Sequence, residues 1–347
     1  MKIKHAGATA GQRLARRAGG SSRRLLVVVS AAALVALVWL GVAARSAQAA
    51  YSPYPVPFSV PAAVLAAANP TVPPPGSNNW SCTPSAAHPE PVVLVHGLVE
   101  NMADNWNTIS PLLADNGFCV YAFTYGTVPG EAYLGGLVEM EQSAPQLAAF
   151  VDKVLAATGA SKVDLVGHSE GTVMPRYYME FLGGAAKVDK FVMLTPIWHG
   201  TNVLGLSTVE SLGDQLNPTV AAFVNSLIGS ACGSCTEFLT GSPFLQNLDA
   251  HGMALADVTY TDIVTEYDEL VVPYTSGILN APNVTNFTLQ DQCPTDFSEH
   301  FTVPDDPIAA QDVLNALDPA RAKPVPCTLV LPGVGAPAPP STVGLAP

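Results

Sequence analysis

Short, continuous runs of apolar residues recur through the middle of the chain and predict its strands. They cover residues 92–95, 118–123, 162–167, 188–195, 258–264 and 284–289. Runs of this kind are typical of strands that are covered on both faces. Residues 142–157 carry apolar side chains at helical spacing, and residues 101–113 suit a loop and a short helix. The alternation predicts an α/β protein with a mostly parallel sheet and right-handed crossovers.

A long insertion, residues 201–252, separates the fourth predicted strand from the fifth. Its apolar residues between Val209 and Ile228 have near-helical spacing that Pro218 interrupts, which predicts two short amphipathic helices. One interpretation is that their apolar stripe packs on the core. The other is a small helical cap whose apolar face lines an acyl pocket.

The third strand runs into the turn Gly167-His168-Ser169-Glu170-Gly171, and a helix is expected after it. A serine at a sharp strand-to-helix bend projects its hydroxyl into a cleft only if the residues two before and two after it lack bulk. Gly167 and Gly171 meet that need. The pattern predicts a nucleophile elbow with Ser169 at its tip.

Both ends of the chain differ from its middle. Residues 1–49 combine arginines, an apolar run from Leu25 to Ala44 and an Ala-x-Ala site ending at Ala49, which indicates an export signal; an uncleaved membrane anchor is the alternative. A proline-rich arm, 50–79, is expected to be an extended segment that wraps over the surface, and 328–347 is expected to be a disordered tail. Residues 80–327 then suit one α/β domain.

Removing residues 1–49 makes the charge strongly acidic. Seven basic residues remain against 28 acidic ones, a formal charge of −21. Such a surface argues against nucleic acid and anionic membranes as partners, and it suits an exported protein.

All six cysteines lie beyond residue 49, and an even number in an exported chain favours disulfides. Six cysteines allow 15 connectivities. We favour Cys82–Cys119, Cys232–Cys235 and Cys293–Cys327. The Cys232-Gly-Ser-Cys235 spacing also occurs in zinc knuckles, but no second pair of ligands stands at a matching distance, so we expect no metal.

A serine hydroxyl needs a neighbouring imidazole to take its proton, and the imidazole needs a carboxylate to orient it. After a nucleophile elbow the acid comes first in the chain and the histidine second. Asp268, which follows the fifth strand, is the best acid, with Glu266 and Glu269 as alternatives. His300 is the base, because no other histidine follows the sixth strand.

Two backbone amides are predicted to bind the oxyanion. The N–H of Glu170 begins the helix after the nucleophile, and the N–H of Leu98 follows His96 and Gly97 in the loop after the first strand. We expect the Glu170 carboxylate to face away from the cleft, because a negative charge inside the cleft would repel the oxyanion.

Three further histidines have supporting interpretations. We expect His96 to brace the oxyanion loop through a hydrogen bond and His199 to contribute to the pocket wall. His168 flanks Ser169 and is expected to point away from the cleft.

Together, the motif from Pro91 to Gly97, the elbow, Tyr267-Asp268-Glu269-Leu270-Val271-Val272-Pro273-Tyr274 and Glu299-His300 resemble those of secreted bacterial lipases and esterases, especially the actinobacterial class 2 lipases. The resemblance covers about residues 80–327 and extends to the placement of the cysteines. It implies the α/β-hydrolase fold, ester hydrolysis through an acyl-enzyme, Ser169, Asp268 and His300 as the triad, and Leu98 and Glu170 as the oxyanion positions.

The expected function is that of a secreted, monomeric carboxylic-ester hydrolase, a triacylglycerol lipase or esterase without a cofactor. Its partners would be a lipid or small acyl ester and, transiently, a lipid interface. Two alternatives share the same residues: an acyltransferase that passes the acyl group to another alcohol, and a catalytically silent binding module that kept the fold.

Overall fold

The computed structural model describes residues 53–130, 133–202 and 232–345. The predicted export signal lies outside these residues, as do the two predicted helices of the insertion. Six strands form in the described part of the chain, at or within a few residues of their predicted positions. They are β1 Val92–Val95, β2 Val120–Phe123, β3 Val163–His168, β4 Val188–Leu194, β5 Thr259–Val264 and β6 Val284–Thr288.

These strands make one sheet in the order β2-β1-β3-β4-β5-β6, and each neighbouring pair is parallel. Parallel neighbours require crossover connections, which explains why helices alternate with strands in the sequence. The prediction of a mostly parallel α/β sheet is confirmed.

Eight α-helices accompany the sheet among the described residues. They are α1 Val60–Ala67, α2 Met102–Asn105, α3 Ile109–Asp115, α4 Met140–Thr158, α5 Met174–Phe181, α6 Pro243–Asp249, α7 Leu289–Gln292 and α8 Pro307–Leu317. Side chains of β1 alternate between two apolar clusters: Val93 and Val95 pack with α4 and α5, whereas Val92 and Leu94 pack with α3 and α8. Both faces of the sheet are therefore covered, which accounts for the continuous apolar runs.

The proline-rich arm is not extended throughout, since residues 60–67 form α1. Pro61 is compatible with this helix because it stands in the first turn, where its missing N–H has no cost. Its other end lies along the sheet. The N–H of Asn78 donates to the carbonyl of Val120 at 2.9 Å, so the arm covers part of the otherwise free edge of β2.

The prediction of a disordered tail is wrong for residues 328–345. Val330 is fully buried, and its carbonyl accepts a hydrogen bond from the N–H of Phe297 at 3.1 Å. Farther on, the N–H of Leu345 donates to the Asn116 side chain at 2.9 Å. The tail lacks a periodic apolar face, but single apolar residues separated by turns anchor it to the domain.

The three predicted disulfides are all present: Cys82–Cys119, Cys232–Cys235 and Cys293–Cys327. The first ties the segment just after the arm to the residue that precedes β2. The second closes a turn within residues 232–252, the C-terminal part of the insertion that the structure describes. The third joins Cys327, directly before the tail, to Cys293, directly after α7. None of the helices in the described part of the chain combines the length and apolar character needed to cross a membrane.

Candidate active site

Ser169 lies at a strained bend between β3 and α5. Its φ is +53°, in the left-handed region that residues with a side chain seldom adopt. The backbones approach so closely here that a Cβ on Gly167 would lie 2.1 Å from the carbonyl oxygen of Gly171, and one on Gly171 would lie 2.1 Å from that of Val95. The glycines therefore permit the bend that presents the serine.

The imidazole of His300 is bound to Asp268. Nδ1 of His300 lies 2.9 Å from Oδ1 and 3.0 Å from Oδ2 of the carboxylate. Oδ1 also accepts the N–H groups of Leu270 and Val271, at 3.0 and 2.7 Å. A carboxylate held by two backbone donors has a fixed orientation, and through it the ring of His300 is fixed as well.

The alternative acids occupy other positions. Glu266 is exposed. Glu269 accepts the backbone N–H of His300 at 3.3 Å and does not bond the ring. Of the three candidates, only Asp268 forms a hydrogen bond with the imidazole ring of His300.

Charge around His300 favours its protonated form. Burial alone would lower the pKa of the ring, but the charge and hydrogen bond of Asp268, helped by Glu100 and Glu269, outweigh burial and raise that pKa above its usual value. The ring is therefore a stronger base than an unperturbed imidazole.

Ser169 and His300 line the same cavity, which has a volume of about 290 Å³. Leu98 also lies on its wall, and the rest is mainly apolar, including Ile197, Phe238, Leu239, Val271 and Phe301. The structure contains no direct hydrogen bond between the serine hydroxyl and the ring. Such bonds are often long in substrate-free sites and tighten when substrate enters. The Ser169 side chain and the His300 ring thus share one apolar cleft.

The loop after β1 is braced from two sides. The N–H of Gly97 donates to the Asn105 side chain at 2.9 Å, and Nδ1 of His96 lies 2.8 Å from the Gly97 carbonyl. Nε2 of His96 accepts the N–H of Tyr125 at 3.1 Å. Burial lowers the pKa of His96 to about 4, so the ring is neutral and supplies one donor and one acceptor. These contacts hold the loop that carries Leu98, and the bracing role of His96 in the oxyanion loop stays a prediction.

The Glu170 side chain points away from the cavity. It is fully buried, and its carboxyl oxygens lie 3.1 Å from the Tyr125 hydroxyl and 2.8 Å from Oγ of Ser234. Glu170 is also the second residue of a 3₁₀ turn, Ser169–Thr172, where backbone N–H groups have no partner within the turn. Its amide is therefore free to serve as a donor.

His168 joins the turn at Ser169 to the segment that carries His300. Its Nε2 donates to the carbonyl of His300 at 3.1 Å, and its Nδ1 lies 2.9 Å from the carboxylate of Glu100. The ring is fully buried and does not line the cavity. The ring therefore points away from the cavity, and a supporting role for His168 stays a prediction.

The expectation for His199 is wrong. This residue is exposed, and its Nε2 lies 3.3 Å from the carbonyl of Ile278, so it is not part of the described cavity wall. The N–H of His199 donates to the carbonyl of Ser276 at 3.1 Å, which holds it against that neighbouring segment and not over the cleft.

Glu100 is the important residue that the motifs did not reveal. It lines the cavity, contacts His168 and acts electrostatically on His300. The only signal was an acid two residues after Leu98 in a loop that had to approach the nucleophile. Among the described residues, no group of three or more histidine, cysteine or acidic side chains is arranged to hold a metal ion.

Known proteins with similar sequences were found for part of the chain. A triacylglycerol lipase of Pseudarthrobacter phenanthrenivorans is 40% identical over 153 residues, which are 40% of this chain and 44% of that protein. A triacylglycerol lipase of Burkholderia plantarii is 35% identical over 153 residues, 40% of this chain and 39% of the other. The chain thus spans less than half the length of these relatives.

The fold has solved counterparts. Aspergillus fumigatus lipase B superposes with a TM-score of 0.54 at 20% identity, over 73% of this chain and 57% of the other. That likeness supports the α/β-hydrolase fold and nothing finer. Residues 89–313, well over half of the chain, match the family described as Lipase (class 2). This match runs from before β1 into α8 and includes the Gly167–Gly171 turn, Asp268 and His300, and the chain therefore belongs to the class 2 lipase family.

Proposed function

We propose that this protein hydrolyses carboxylic esters of lipids, as a triacylglycerol lipase or esterase, through an acyl-enzyme on Ser169. The observation that carries the proposal is that Ser169 and the Asp268-bound ring of His300 open on one apolar cavity. The family match and the triacylglycerol lipases among the relatives support the same class of reaction.

In the first half-reaction, Nε2 of His300 takes the hydroxyl proton as Oγ of Ser169 bonds to the acyl carbon. Asp268 stabilises the imidazolium that forms. The carbonyl oxygen becomes an oxyanion and accepts the backbone N–H groups of Leu98 and Glu170. Each such donor is worth on the order of 100-fold or more in rate.

The tetrahedral intermediate then collapses. The carbon–oxygen bond to the alcohol breaks, and the imidazolium returns its proton to the leaving oxygen. In the second half-reaction His300 takes a proton from water, whose oxygen attacks the acyl carbon, and the fatty acid leaves as Ser169 regains its proton. Atoms and protons balance without a cofactor.

The apolar cavity wall provides the binding surface for the acyl chain. Phe238, Leu239 and Val271 are buried side chains on this wall, and a hydrocarbon placed against them leaves water. Burial of one CH₂ group contributes about 0.8 kcal/mol. The exposed aromatic ring of Phe301 at the same cavity suits transient contact with a lipid interface.

We also propose that the protein acts as a monomer outside the cytoplasm, after removal of residues 1–49. Three disulfides support an oxidising compartment. The mass of the secreted chain tests the proposed cleavage, since cleavage after Ala49 leaves Ala50 as the first residue. A secreted chain that retains residues 1–49 would contradict it.

The decisive experiment combines labelling with turnover. The mature chain and its Ser169→Ala variant are treated with an alkyl phosphonate and assayed on chromogenic fatty-acyl esters. We expect the parent to be labelled once and Ser169→Ala to lose labelling and at least 10³-fold in kcat. Ser81→Ala, which removes an exposed hydroxyl, is the matched control. Equal turnover by the parent and Ser169→Ala would refute the mechanism.

Two arms separate the alternatives. A competing short alcohol reports acyl transfer, because an acyltransferase gives mainly the new ester and a hydrolase gives mainly the free acid. A folded parent that neither labels nor turns over would indicate the silent binding module.

A further inference from the structure

The carboxyl group of Glu170 is buried in a network of polar groups that the hydrolytic steps do not use. Oε1 lies 3.1 Å from the hydroxyl of Tyr125, and Oε2 lies 2.8 Å from Oγ of Ser234. Each hydroxyl also has a backbone acceptor: the carbonyl of His96 is 2.9 Å from the Tyr125 hydroxyl, and the carbonyl of Gly136 is 2.6 Å from Oγ of Ser234.

Counting hydrogens indicates the state of this carboxyl group. An ionised Glu170 leaves two hydroxyl hydrogens for four acceptor oxygens: two on the carboxylate and one carbonyl each on His96 and Gly136. A proton on Oε2 removes the conflict at Ser234, because Glu170 then donates to Oγ and Oγ donates to Gly136. Buried polar groups without a partner are costly, so the short Ser234–Gly136 contact favours the neutral acid.

The network joins segments that surround the cleft. The carbonyl of His96 belongs to the loop that presents the Leu98 amide, and Glu170 itself supplies the other predicted oxyanion amide. Ser234 lies within the turn closed by Cys232–Cys235, and Cys235 lines the cavity. A change at this one carboxyl group therefore reaches both amides and part of the cavity wall.

We propose that Glu170 is a positioning residue that works as a neutral carboxylic acid, holding the two sides of the oxyanion hole and the Cys232–Cys235 turn in register. This inference rests on the proposed ester hydrolysis. It assigns the Glu170 side chain a role separate from that of its backbone amide.

Space around the carboxyl group leaves it little freedom to relieve a charge. A Cβ on Gly136 would lie 2.9 Å from Oε1 of Glu170, so the backbone passes directly against the acid. Ionisation would also bring a negative charge next to the amide that has to bind an oxyanion. Both effects oppose catalysis once the proton is lost.

The titratable groups around Glu170 do not neutralise that charge. Tyr125 faces it from the segment after β2, with its pKa raised well above the usual value by burial and by Glu170 and Glu100. Glu237 follows the Ser234 turn, and burial and its hydrogen bond with Glu141 raise its pKa to about 9. Glu139 lies against Gly233 of the same turn. Burial raises the pKa of Glu170 to about 8, so its proton leaves at mildly alkaline pH.

The test compares kcat for ester hydrolysis against pH in the full mature chain and two variants. Glutamine imitates the neutral acid, since its oxygen accepts from Tyr125 and its NH₂ group donates to Ser234. We expect the parent to lose activity as pH rises through about 8. Glu170→Gln should lack this loss, and Glu170→Ala should have a kcat on the order of tenfold below Glu170→Gln at pH 7. The same alkaline loss in parent and Glu170→Gln would overturn the proposal, as would equal kcat for the two variants.

Glu237→Gln is the control for the neighbouring acid. If it removes the alkaline loss and Glu170→Gln does not, the titrating group is Glu237 and the proposal fails. Infrared titration supplies a readout independent of turnover: the difference spectrum of parent minus Glu170→Gln should contain the carbonyl stretch of one protonated carboxylic acid at pH 7, and this difference band should fade near pH 8. An identical infrared titration in both proteins would also overturn it.

Phosphonate labelling separates this proposal from the proposed function. A parent that is labelled at Ser169 but shows no dependence on Glu170 protonation retains the hydrolase mechanism and loses the positioning role. A parent that is never labelled loses the hydrolase mechanism, and the role in the oxyanion hole falls with it, whatever the infrared titration shows.

Discussion

Nε2 of His168 donates a hydrogen bond to the carbonyl of His300 at 3.1 Å, so the residue directly before Ser169 holds the residue that we propose as the base. These residues are far apart in the sequence, at the end of β3 and beyond α7. Because both ends of this bond are buried, it resists exchange with water. It fixes the position of the imidazole along the cleft, while Asp268 fixes its rotation.

Replacing Asp268 by asparagine should leave the fold intact and remove most of the activity. The amide still fills the space next to Nδ1 of His300, but it no longer stabilises the imidazolium and it favours the wrong tautomer. We expect kcat on chromogenic esters to fall on the order of 10⁴-fold. Glu269→Gln, beside it in the same loop, is the matched control and should lose less than about tenfold, since Glu269 bonds only the backbone N–H of His300. Similar losses in the two variants would contradict the assignment of the acid.

Glu100→Gln should move the acid limb of the kcat/KM profile to lower pH. Burial opposes the protonation of His300, and the charge of Glu100 is one of the influences that outweigh it and raise its pKa. Without that charge the ring loses its proton at lower pH, and the free base becomes available sooner. The profile is measured between pH 5 and pH 9. Glu266→Gln, an exposed acid near Asp268, is the control and should leave the limb in place; a limb unmoved in Glu100→Gln would refute the coupling.

Stability should be greatest in mildly acidic solution and decline toward alkaline pH. Burial raises the pKa of Asp164, Asp305 and Asp312 to about 7 and that of Asp262 to about 8. An acid with a raised folded-state pKa binds more protons in the native chain, so the unfolding free energy falls as pH rises from about 4 to about 8. The raised pKa of His300 acts in the same direction, because its contribution is lost as pH rises through the folded-state value.

Urea unfolding at pH 5 and pH 8 measures this decline. We expect the lower midpoint at pH 8. Glu100 and Asp318 have lowered pKa values and act in the opposite direction, but only as pH falls through the acidic range below pH 5. The lowered pKa of His96, about 4, also acts in the opposite direction between about pH 4 and its usual value of 6.5, but it is one group against the buried acids named above. A midpoint that rises from pH 5 to pH 8 would show that the buried acids are ionised in the native protein.

Gly171→Ala should destabilise the domain strongly. Its new Cβ would lie 2.1 Å from the carbonyl oxygen of Val95 and 2.6 Å from that of His96, and backbone atoms of a buried strand cannot yield. We expect a loss of roughly 3 kcal/mol in the free energy of unfolding. Gly183→Ala is the control, since Gly183 has φ +77° but no heavy atom within 4 Å of an added Cβ. It should cost only about 1 kcal/mol. Chemical denaturation distinguishes the two.

Local patterns were sufficient to predict the sheet and much of the candidate site. The strands are apolar on both faces, so their positions are visible without knowledge of their neighbours. Gly167 and Gly171 likewise follow from the geometry of one bend. Asp268 and His300 could be chosen because the carboxyl ends of parallel strands meet at one edge of the sheet.

What local patterns did not reveal depends on contacts between distant segments. Glu100 becomes important only because the first loop brings it to His168. The apolar residues of the tail do not recur with a helical or strand period. Val330 and Leu345 are nevertheless buried, as isolated side chains that pack into pockets formed by other parts of the domain. His199 follows β4 closely, but the chain carries its ring away from the cleft.

The docked tail limits how the protein can be shortened. Val330 lies between segments near Asp296, and the amide of Gly333 donates to Oε1 of Glu299, the residue immediately before His300. Ending the chain at Cys327 would expose the surface that Val330 covers, and it would remove the contacts that hold residues 296–299, the segment directly before His300. A smaller version for crystallisation would have to be trimmed elsewhere, and a change near Leu345 would also disturb the hydrogen bond from its N–H to the Asn116 side chain.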